Sequence, residues 1–93
     1  MITVEQCVEH VDEIVQQVIN SWAMVTKAGH NEDLTPEFKE VFELACQYRD
    51  AKRLADNHRE FNMLSEEDAA RETAKRDEFA QAYKQYSDRN NIH

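Results

Sequence analysis

Nineteen Asp plus Glu against 11 Lys plus Arg give this 93-residue chain a formal charge of −8 at neutral pH, which repels phosphate backbones, argues against direct nucleic-acid binding and favours basic partners. One glycine and one proline exclude a turn-rich β fold, a glycine-rich phosphate loop and a disordered chain. What remains is a single all-α domain over residues 1–93 with a thin core, since a chain of this length buries only about 60 to 65 % of its unfolded surface.

The first element is written in valine. Val4, Val11, Val18 and Val25 fall seven apart, with Val8, Val15 and Trp22 between them at alternating spacings of four and three, the pattern of an amphipathic helix. Cys7, Ile14 and Ile19 widen the stripe to an arc of about 140°. Glu5, Glu9, Asp12, Glu13, Gln16 and Asn20 lie opposite. Thr3 and Gln6 form a capping box, and Gly29 stands where a left-handed residue ends a helix, so one helix is predicted over 4–28. His30 to Leu34 reads as a short polar connection.

Thr35-Pro36-Glu37 combines a capping hydroxyl, a proline tolerated in the first turn and an acid that suits the helix dipole. The second helix is predicted over 36–61. Phe38, Val41, Phe42 and Ala45 share one side, Tyr48, Ala51 and Ala55 lie further round, and Leu54, His58 and Phe61 lie nearly opposite the first group. That swing exceeds the ~20° per heptad of ordinary drift; either the helix breaks near Asp50 to Arg53, or its halves pack on different neighbours. Ser65, with Asp68 three residues on and Leu64 as a staple, starts the third helix, predicted over 66–89. Its interior is mostly alanine, with Phe79, Tyr83 and Tyr86 as the bulky stripe and Glu72 placed to pair with Arg76. Asp88 to His93 carries no core signal.

Short connections make neighbouring helices antiparallel, so the expected architecture is a three-helix up-down-up bundle. Its split faces leave Leu54, Phe61 and Tyr86 in need of cover, which a homodimer supplies.

No apolar run approaches the ~20 residues of a membrane span, and no basic, apolar leader precedes Glu5. Cys7 and Cys46 sit in apolar stretches as small hydrophobes, which points to an intracellular, cytoplasmic setting with reduced thiols. No cofactor or metal is expected: Cys7 and His10 at i,i+3 are too few ligands for zinc unless Cys46 and His30 converge on them. No nucleophile lies beside a base in a recognisable elbow, so the leading reading is not an enzyme.

One catalytic alternative exists. Arg53-Leu54-Ala55-Asp56-Asn57-His58 resembles the Arg-x4-6-His signature of the HEPN ribonucleases, all-helical proteins in which a dimer brings two such motifs together over RNA. The resemblance implies a ribonuclease working through Arg53 and His58.

The leading reading rests on charge. Residues 1–34 hold six acids and one base, against six and five in 35–62 and seven and five in 63–93, so the negative field is concentrated on the first helix. Glu5, Glu9, Asp12 and Glu13, with Met24 on the same polar side, are the expected binding surface for a basic protein partner, where complementary charge steers association. In size and charge the chain is similar to the phage and mobile-element inhibitors that mimic DNA, including antirestriction and anti-CRISPR proteins. A structural or regulatory homo-oligomer built on the valine seam is the other alternative.

Overall fold

The computed structural model of the chain describes residues 2–29 and 34–90. Its elements are α1 (Val4–Glu9), α2 (Val11–Lys27), α3 (Pro36–Glu60) and α4 (Glu66–Asn90). Among the described residues four helices therefore replace the three expected, because the stretch read as one helix over 4–28 divides at His10, whose φ of −114° and ψ of 25° leave the helical region. Hydrogen bonding continues through the bend: His10 N–H donates to the Gln6 carbonyl at 3.1 Å, and Ile14 N–H to the His10 carbonyl at 3.0 Å. The bend lets α1 pack on α4 while α2 packs on α3. One apolar stripe thus serves two neighbours. Valines on both sides of His10 lower the cost, since β-branched residues lose side-chain freedom in a helix.

Local chemistry sets the helix ends. The Thr3 hydroxyl accepts from Gln6 N–H at 3.1 Å while the Gln6 side chain accepts from Thr3 N–H at 3.0 Å, completing the box on α1. Thr35 caps α3 through Phe38 N–H at 3.1 Å, and Ser65 caps α4 through Asp68 N–H at 3.1 Å. Gly29 closes α2 at φ 78°, its N–H reaching the Thr26 carbonyl. Asn62, at φ 56°, does the same for α3: its N–H donates to Arg59 and the Met63 N–H to His58, the paired bonds of a Schellman motif.

α3 is unbroken through Asp50 to Arg53, so its turning face serves different neighbours. Asp12 meets Tyr48 and Lys52, whereas Trp22 meets Phe38 and Phe42, so α2 runs antiparallel to α3. Glu37–Arg89 at one end and Arg59–Glu72 at the other make α4 antiparallel to α3 as well. Glu72 is thus held across helices at 2.8 Å by Arg59, not by Arg76, which reaches Asp77.

One apolar cluster joins all four helices: Cys7 from α1, Val11, Ile14, Val15 and Val18 from α2, Phe38, Val41, Ala45 and Tyr48 from α3, and Phe79, Ala80 and Tyr83 from α4. Val4, Val8, Ile19 and Trp22 pack against its edge. Trp22 stacks on Phe42 at 4.3 Å and meets Phe38 edge-on at 5.9 Å, and Phe38 stacks on Tyr86 at 5.6 Å. Such ring pairs add about 0.5–1.5 kcal/mol each beyond the area they bury. The molecule measures 44 × 29 × 18 Å, and its depth is about two helix diameters. Among the described residues no helix is long and apolar enough to cross a membrane.

Candidate protein-binding surface and adjoining cleft

Glu5 and Glu9 lie one turn apart on α1, and Glu13 follows four residues on, past the bend at His10; all three are exposed. None has an ion pair among the described residues. α1 carries no base, and α2 has only Lys27 in its last turn. On α3 and α4, by contrast, acids are interleaved with bases, as in Asp56–Arg59, Lys75–Glu78 and Lys84–Asp88.

Asp12 is different. Its carboxylate accepts from Lys52 Nζ at 2.6 Å and from the Tyr48 hydroxyl at 3.2 Å. Burial, reinforced by this charge and hydrogen bond, pushes the Tyr48 hydroxyl well above its usual pKa range, so it remains a donor. Asp12 therefore ties α2 to α3. Met24 is 71 % exposed near the end of α2, more than two turns beyond Glu13.

Beside Asp12 opens a cleft of about 260 Å³ between α2 and α3, with Val15 and Tyr48 in its wall and Arg49, Lys52, Arg53 and Asp56 at its rim. Lys52 is committed to Asp12 and Asp56 to Arg59. Arg53 has no ion pair or hydrogen bond among the described residues. Arg49 stands 3.7 Å from Asp50, beyond hydrogen-bond reach, and its Nε is shut off from solvent with no hydrogen-bond partner. An unmade bond of this kind costs about 1–3 kcal/mol. The cleft was not anticipated, although Arg49, Lys52 and Arg53 at spacings of three and four mark a basic helix face.

Arg53 and His58 do not meet within the chain. Arg53 faces the α2–α3 cleft, whereas the His58 ring Nδ1 lies 2.5 Å from the Asp68 carboxylate on α4. The His58 hydrogen bond is the main reason the Asp68 carboxyl is held below its usual pKa, with Ser65 adding further hydrogen bonds. The helical pattern groups His58 with Leu54 and Phe61 on one side; in the structure His58 is half-buried in a polar contact while Phe61 is 70 % exposed.

Of the residues assigned to self-association, Leu54 and Phe61 are exposed, while Tyr86 is half-buried against Phe38. Met63, 69 % exposed, and Leu64 are exposed as well, in the turn between α3 and α4. Cys7 is fully buried and His10 exposed, and burial raises the pKa of both the Cys7 and Cys46 thiols. His30 lies outside the described residues, among which no three potential ligands gather as a metal-binding group.

No protein-family model matches this chain, and comparisons with curated proteins and with solved structures found no match.

Proposed function

We propose that this is a non-catalytic binding module that docks on a basic protein through the acidic ridge of α1 and α2. One observation supports this above the rest: Glu5, Glu9 and Glu13 are exposed acids on helices that hold no base before Lys27. Like charges at i,i+4 mildly destabilise a helix, so the ridge carries a small cost in the free protein that a cationic partner relieves. Glu5, Glu9 and Glu13 make the contact, Asp12 positions the ridge through Lys52, and Met24 adds an apolar contact. In this reading the partner is a nucleic-acid-binding protein whose basic surface the ridge occupies in place of DNA, as an inhibitor of the phage or mobile-element kind, in a reducing cytoplasm. The test is affinity capture from the source cells with quantitative readout. A basic protein retained at low salt, released at high salt and displaced by duplex DNA is the expected result; retention that ignores salt and DNA would contradict it.

A second reading rests on the exposed apolar residues of the α3–α4 hairpin, Leu54 on α3 and Phe61, Met63 and Leu64 in the turn. Large exposed apolar side chains suit a homodimer contact. Sedimentation of wild type against Phe61→Glu distinguishes it: a dimer that the substitution splits supports self-association, and a wild-type monomer removes it. The HEPN-like alternative would need such a dimer to bring Arg53 and His58 of two chains together.

A further inference from the structure

We propose that the cleft between α2 and α3 binds a small monocarboxylate, held by Arg49 and Arg53 with its apolar body against Val15 and Tyr48. The cleft shares Asp12 and Lys52 with the base of the acidic ridge, but its binding of a carboxylate does not rest on the docking reading. Four observations converge on it. First, Arg49 and Arg53 stand one helical turn apart at the rim of the same opening, a spacing that lets two guanidinium groups close on one ligand. Second, Arg53 has no partner among the described residues, and Arg49, paired there only with Asp50 at 3.7 Å, has a buried Nε without a hydrogen bond. In a chain with 19 acids and 11 bases, an arginine with no ion pair among the described residues, beside one held only by a long 3.7 Å approach to Asp50, is unexpected. A carboxylate accepting two parallel N–H bonds is the natural complement of a guanidinium.

Third, the remaining charges at the cleft are already matched, Lys52 by Asp12 and Asp56 by Arg59. These nearby carboxylates, with Asp50, repel a doubly charged phosphate more than a singly charged carboxylate. Fourth, Val15 and the buried Tyr48 ring give the cleft an apolar wall. Its volume of about 260 Å³ approaches the lower end of ordinary small-molecule sites.

The test is a chemical-shift titration of the isotope-labelled full chain with benzoate, with benzamide as its neutral counterpart and with inorganic phosphate. Saturable benzoate shifts at Val15, Gln16, Tyr48 and Arg49, little response to benzamide and weaker binding of phosphate are expected. Arg53→Gln should weaken benzoate about tenfold, the scale of one charge-assisted pair, and Arg49→Gln at least as much. Arg53 is exposed, so its substitution tests the proposal even if the Arg49 variant fails to fold. Benzamide binding as well as benzoate, phosphate binding as tightly, or an affinity unchanged by Arg53→Gln would each overturn the assignment.

Discussion

Asp68 shows how one side chain couples local and tertiary structure. It lies in the first turn of α4, where its N–H is capped by Ser65, and its carboxylate reaches back to His58 on α3 and to Arg71 at 3.4 Å. Because its pKa is lowered in the folded state, its contribution to stability is present above the unfolded carboxyl value of about 3.9 and is lost as pH falls through the folded value. Asp68→Asn should therefore melt lower than wild type at pH 6, with the gap closing toward pH 2; parallel melting curves across that range would show that the contact contributes nothing. The valine seam gives a larger effect. Val11 and Val18 are 6 % exposed within the common cluster, so Val18→Ala should cost about 2 kcal/mol. Val11→Asp or Val18→Asp should abolish cooperative folding, because a carboxylate would be buried without a partner. Native helicity and an unchanged melting temperature in both Asp variants, measured by circular dichroism, would show that this stripe is not the core.

At the scale of the element, helix starts were legible and one interior break was not. Thr3, Thr35 and Ser65 carry capping hydroxyls in sequence contexts that only a helix N-terminus explains, and all three make the bond. The bend at His10 has no proline or glycine to announce it. It answers a tertiary demand, the need of Cys7 to reach α4 while Val11 to Val18 face α3, and that demand exists only once the helices are assembled. α3 ends at Glu60, one residue before the expected Phe61, closed by Asn62 in the left-handed conformation that glycine usually supplies. The caps also differ in consequence. Thr35→Ala opens the helix that both α2 and α4 pack against and should cost about 1 kcal/mol, or about 4–8 °C in melting temperature. Thr3→Ala frees only the six residues of α1 and should lower the melting temperature by less; an equal or larger drop would mean that α1 is as central to the fold as α3.

Across the whole molecule, the periodicity of apolar residues placed the core well, while charge placed the candidate sites incompletely. A count of acids along the chain finds Glu5, Glu9 and Glu13, but it cannot show that Asp12 is drawn to Lys52 and Tyr48, because that pairing spans some forty residues. Arg49 and Arg53 were equally hidden, since only the approach of α2 turns one face of α3 into a cleft. The distinction matters for mutagenesis. Reversing Asp12 would break an interhelical contact, whereas Glu5, Glu9 and Glu13 are exposed and have no ion pair among the described residues, and exposed charge changes usually cost little each. The most direct test of the docking account is therefore the affinity of the captured partner for wild type and for the triple variant Glu5→Lys, Glu9→Lys, Glu13→Lys, at low ionic strength and at 0.15 M, where the Debye length is about 8 Å. The account predicts that wild-type affinity falls as salt rises and that the variant, folded by circular dichroism, loses binding at both; equal and salt-insensitive affinities would contradict it.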